Sequence, residues 1–172
     1  MSLRQNRSPR PGTTADTAHG AGAVLDAVVV GAHGGAGTST LAALLPAAWD
    51  MDPIKPAPEP GRPSLRANGR PIVLAVRNTA VAAKTATAAI TALRAWDQHV
   101  AALAIVSDGG PETRDATARF ALLAPRVGGV VRIPYVRALR LVDDPRHVIL
   151  PSKAKQAINE LRGLLGAPPA SR

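Results

Sequence analysis

The sequence predicts an α/β fold, a three-layer arrangement around a parallel sheet of about four to five strands. Three observations lead there. Short apolar runs alternate with longer segments of helical periodicity. The runs are continuously apolar and do not alternate with polar residues, the pattern of strands covered on both faces. The first run opens through a cluster of glycines directly into a helical segment, as a strand-to-helix turn does.

The elements follow in order. Val24 to Val30 reads as a first buried strand, and Thr38 to about Ala48 as a helix with Leu41, Leu44 and Leu45 on its apolar side. Residues 50 to 71 carry Pro53, Pro56, Pro58, Pro60, Pro63 and Pro71, so no regular element is expected there and a long loop is. Ile72 to Val76 is a second buried strand. Thr79 to Trp96 is a long helix with Asn78 or Thr79 as its N-cap. Ala101 to Val106 is a third strand, and Pro111 to about Leu123 a helix with proline in its first turn. Gly129 to Ile133 is a fourth strand, followed by a short helical turn around Val136 to Val142. The last helix starts at Ser152, with Ala154, Ile158, Leu161 and Leu165 recurring on one face. Such a β-α-β-α order implies right-handed crossovers between parallel strands.

Composition bounds the rest. The 172 residues suit one α/β domain over 21 to 166, with a polar, disordered basic tail over 1 to 20 and a flexible end over 167 to 172. Alanine and valine dominate and aromatics are nearly absent, so the core is built from small and β-branched side chains. With no cysteine, disulfides and thiolate metal sites are excluded. No stretch approaches membrane-spanning length, and a cytoplasmic protein is expected. The net charge of +9 favours an anionic partner: nucleotide, non-specific DNA or an acidic surface. A solvated basic surface from a compositionally biased genome accounts for the charge equally well.

The chemistry concentrates in the first strand-to-helix turn, His33-Gly34-Gly35-Ala36-Gly37-Thr38-Ser39-Thr40. Glycines there let backbone N–H groups converge on an anion, and the following helix adds its positive end. The same glycines also serve a tight turn that binds nothing. Dinucleotide spacing fails, since Thr40 stands at the third glycine. A P-loop reads G-x-x-x-x-G-K-[ST]. Aligned on Gly37, this chain has Ala32 at the first glycine, Thr38 at the lysine, and Ser39 at the hydroxyl that would hold Mg²⁺.

The loop resembles the deviant P-loop of the ParA/MinD partition and positioning ATPases, roughly K-G-G-x-G-K-T-[ST]. Gly34, Gly35, Gly37, Ser39 and Thr40 match, His33 replaces the signature lysine and Thr38 the phosphate-binding lysine. Ile133-Pro134 also resembles that family's Ile-Pro after its last core strand. The resemblance implies a P-loop NTPase-like fold and an ATP or GTP site with Mg²⁺, in a DNA segregation, transfer or positioning system. Both lysines are missing, and no strand ends in the aspartate that anchors Mg²⁺ through water. The expectation is therefore phosphate or nucleotide binding with little or no hydrolysis, by a regulator or scaffold. The alternatives are a non-enzymatic adaptor that keeps the fold for protein or DNA contacts, and a slow ATPase.

Ligands in open parallel sheets lie beyond the carboxyl ends of the strands. Arg77 and Arg137 fall there as replacements for the lost lysine charge, and Asp108 as an acceptor for a base. Each has a plainer reading, as a solvated arginine or a turn aspartate. Asp26 needs a partner, an arginine or water at the strand's end. Arg137, Arg140 and Arg146 cluster with Asp143 and Asp144, either as a mixed-charge surface or as an edge of a nucleic-acid contact.

Overall fold

A computed structural model describes residues 26–55 and 65–166. The expectations for residues 1–20, for the centre of the proline-rich stretch and for 167–172 lie outside the described residues. The fold is α/β. Five parallel strands, β1 (Ala27–Gly31), β2 (Ala48–Met51), β3 (Ile72–Arg77), β4 (Val100–Val106) and β5 (Val130–Ile133), form one sheet in the order β2-β1-β3-β4-β5. Helices α1 (Thr38–Leu44), α2 (Ala80–Ala95), α3 (Arg114–Ala121) and α4 (Ser152–Gly166) cover it. This is a doubly wound order, and it reverses between β1 and β3.

The strand period of two divides the core. Val28 and Val30, Ile72, Leu74 and Val76, and Leu103 and Ile105 face α2 and α3. Ala27 and Val29, Val73 and Ala75, and Ala102 and Ala104 face α1 and α4. Volumes are matched across the layers. The larger strand side chains meet alanine-lined α2, through Ala82, Ala83, Ala86 and Ala89. The alanine side of the sheet meets Ile158, Leu161 and Leu165 of α4. Close packing at crystal-like density needs this pairing of large against small.

Boundaries have local causes. Helix α1 stops at Leu44, short of the expected Ala48, because Leu45 precedes Pro46 and is extended (φ −101°, ψ 134°). Thr79 caps α2 by accepting from the Ala82 amide at 3.1 Å. Helix α3 starts at Arg114, after Pro111, because Thr113 Oγ1 caps it by accepting from the Ala116 amide. The helical turn after β5 is a 3₁₀ turn over Arg137–Arg140.

The proline-rich region departs from expectation at both ends. Asp50 and Met51 belong to edge strand β2, Ile54 donates to the Gly31 carbonyl, and Leu65 and Ala67 are buried in the α2 side of the core. Proline density masked isolated apolar anchors. A clamp at the base of the sheet holds this region. Asp26 accepts from Arg70 Nε at 2.7 Å and from Trp49 Nε1 at 2.6 Å, while the Arg70 guanidinium lies 5.4 Å from the Trp49 ring centre. These bonds, Arg70's foremost, hold the Asp26 carboxyl below its ordinary pKa. The expected arginine partner of Asp26 is thus Arg70.

Candidate phosphate-binding cleft at the carboxyl rim

The glycine turn lies at the point where the strand order reverses, between the carboxyl ends of β1 and β3. Gly35 and Gly37 have positive φ, 71° and 91°, which L side chains rarely adopt. Gly37 is the N-cap of α1 and has no side-chain bond of its own to give. From Gly34 to Thr40 no backbone amide donates to an acceptor among the described residues; the next one, Leu41, bonds the Gly37 carbonyl. Amides left in this state are what an anion collects at a strand-to-helix turn.

Two side chains fasten the turn to β3. The Arg77 amide donates to His33 Nε2 at 3.3 Å, which places the ring proton on Nδ1, 2.9 Å from the Gly34 carbonyl. Arg77 Nε donates to the Gly35 carbonyl at 3.1 Å. His33, at the position of the signature lysine, is a staple between loop and strand. Arg77 lies across the loop and keeps the rest of its guanidinium for another acceptor.

A cleft of about 200 Å³ opens beside the turn. Gly35, Ala36 and Gly37 form one wall, Ser107, Asp108 and Tyr135 the other, and Arg77 and Arg140 stand at its margin. Leu41, Ile133 and Leu139 give it an apolar floor. Its volume is below the roughly 300–1,000 Å³ of pockets that enclose a whole drug-sized ligand. A phosphate group fits within it, and the remainder of a nucleotide would project.

The other expected residues separate. Asp108 Oδ1 accepts from the Gly110 amide at 3.1 Å and Ser107 Oγ from the Gly109 amide at 3.3 Å, so both side chains shape the turn after β4. Arg137 is exposed and does not line the cleft; Arg140, one helical turn on, does. Its guanidinium lies 5.5 Å from the Tyr135 ring centre. The ring rests against Gly109, where even a Cβ would come within 3.2 Å of it. Sequence reasoning placed Arg140 in a charge cluster and did not join it to Tyr135, the tyrosine directly after Ile133-Pro134. Asn78, just past β3, has a buried Oδ1 that accepts no hydrogen bond.

The residues present do not fit Mg²⁺ held as in a P-loop. Ser39 is exposed and lines a neighbouring groove with Asp50, Asp143 and Asp144, not the cleft of Gly35 and Gly37. Asp108 is engaged with Gly110, and no group of three His, Asp or Glu among the described residues is arranged to hold a metal. No protein-family model matches the chain, and neither a curated protein nor a solved structure is significantly similar to it. Among the described residues, no helix is long and apolar enough to cross a membrane.

Proposed function

We propose that this protein binds a phosphate-bearing ligand, a nucleotide or the phosphate end of one, at the glycine turn and does so with little or no hydrolysis. The observation that carries the reading is the run of undonated amides from Gly34 to Thr40 beside a cleft flanked by Arg77 and Arg140. Two guanidiniums supply charge where the P-loop lysine is missing, and arginine suits phosphate through paired N–H donors. Turnover asks for more. Thr38 brings no charge to a γ-phosphate, and the carboxylate in the cleft's lining, Asp108, already turns one oxygen to the Gly110 amide. Binding without chemistry is the behaviour of a regulator or scaffold. The resemblance of the loop to the ParA/MinD ATPases supports a place in a DNA segregation, transfer or positioning system.

The test is thermal. Inorganic phosphate, ATP and GTP, each with and without Mg²⁺, raise the melting temperature of a protein that binds them in the folded state only. A melting temperature indifferent to all of them at millimolar concentration removes the proposal. One observation favours a second reading: His33 and Arg77 both spend hydrogen bonds on closing the loop. On that reading the glycines make only a braced turn, and the protein is an adaptor.

A further inference from the structure

A second surface lies away from the cleft, between α1 and α4. The segment after the 3₁₀ turn at Pro145–His147 runs extended into α4, Val148 having φ −84° and ψ 127°. Extended backbone sends successive side chains to opposite sides. Val148 and Leu150 are partly buried, and Ile149 points away at 89% exposure. The amides of Ile149 and Leu150 donate to no acceptor among the described residues. Beside this segment a groove of about 540 Å³ has Leu44, Leu150 and Ile158 in its lining. Its charged residues are Arg146, Lys155 and Arg162, with no carboxylate among them. Arg146 is paired with Asp144, but neither Lys155 nor Arg162 has an ion-pair partner among the described residues, Arg162 donating instead to the Leu44 carbonyl at 3.4 Å. Lys155, Asn159 and Arg162 recur at helical spacing along one side of α4.

We infer that this groove docks an extended peptide segment of a partner protein, acidic and carrying aliphatic anchors. The aliphatic lining and Ile149 take the anchors, Lys155 and Arg162 take the carboxylates, and one of the two open amides, Ile149 or Leu150, pairs with a peptide carbonyl as in strand addition, since consecutive amides of an extended segment face opposite edges. Duplex nucleic acid suits the site less. Phosphates would meet the cations, but nothing in a duplex would cover Ile149 and the leucines. The inference does not depend on the phosphate cleft.

The experiment is selection of a random-peptide phage library on the full chain, with counter-selection on the double variant Ile149→Asp, Lys155→Glu. Both side chains are exposed, and an unchanged melting temperature confirms that the variant is folded. The expected consensus alternates Asp or Glu with Leu, Ile or Val. A synthetic peptide of that consensus should bind the variant about tenfold more weakly or worse, as for a lost interface anchor, and should weaken with rising salt. No enrichment, enrichment equal on the variant, or a consensus without acidic residues overturns the inference. Displacement of the bound peptide by a short duplex DNA at equal concentration overturns it too, in favour of a nucleic-acid surface.

Discussion

The carboxyl rim of the sheet has two halves, built differently. Over β1 and β3 the glycine turn is tied to the neighbouring strand at Ala32, His33 and Gly35, so loop and sheet form one rigid piece. Over β4 and β5 the loop is tied to β5 only near its two ends, by the Ser107 amide to the Ile133 carbonyl and by Glu112 to Arg132, and its middle bonds itself. Ser107 and Asp108 close their own loop, and the side facing it touches through the Tyr135 ring, with Arg140 stacked above. The first half presents amides in fixed directions, and fixed donors bind without reorganising. The second presents a guanidinium on an aromatic platform, which adjusts. On the proposed function, such a cleft would hold the phosphate in one place while tolerating variety in what the phosphate is attached to.

The comparison breaks most readily at Gly37. Replacement by valine forces a β-branched residue to φ 91°, and the strain lies in that backbone, since the new Cβ would meet Val106 only at ordinary contact distance. A loss of roughly 1–3 kcal/mol is expected, together with loss of any phosphate-induced rise in melting temperature. Denaturant unfolding and thermal shift measure both. Next comes Arg77→Ala, which removes a loop bond and a cation together. It should cost about 1 kcal/mol and most of the phosphate response; Arg77→Lys should recover less than half of that response, because Arg77 also braces Gly35. Full recovery by lysine would reduce Arg77 to a point charge. Arg140→Ala should weaken phosphate binding while changing stability by about 0.5–1 kcal/mol at most, the separation expected of an adjustable half. Steady-state ATP and GTP turnover should stay at the buffer baseline for the native protein and for every one of these variants.

The smallest effect lies beyond the rim. Hydrogen bonds from the Arg146 side chain and amide lower the Asp144 pKa from 3.8 to about 2. A carboxyl depressed on folding stabilises the fold above pH 3.8 and loses that contribution as pH falls toward about 2. Arg146 is largely solvated and water screens the pair, so the loss should be small. Acid titration of stability should show it in the native chain and not in Asp144→Asn.

What was legible in the sequence follows burial. Strands β3 and β4 are covered on both faces, and their unbroken apolar runs fix them to within a residue of where they lie. Helix α4 shows its buried stripe at the expected positions. Strand β2 left no such mark. It is an edge strand with Trp49, Asp50 and Met51 exposed, so burial imposes no pattern on it. The glycine turn was visible, because positive φ selects glycine. The use of its neighbours was not: His33 meets Arg77 across 44 positions of chain, and no local spacing encodes that bond. Arg140 was passed over for Arg137 because a 3₁₀ turn, not the sequence, decides which arginine reaches Tyr135.

Tyr135 is the only tyrosine of the chain, and it stands in the wall of the cleft between Gly109 and Arg140. The protein therefore carries a native spectroscopic label at this spot. Isotopic labelling of tyrosine alone gives ring resonances from a single residue, against an otherwise silent background. Ring currents, the rate of ring flipping and the nearness of the guanidinium all register there. An anion that draws Arg140 off the ring would change those resonances without any engineered probe, and the free and occupied cleft would be distinguished in one titration of the unaltered chain.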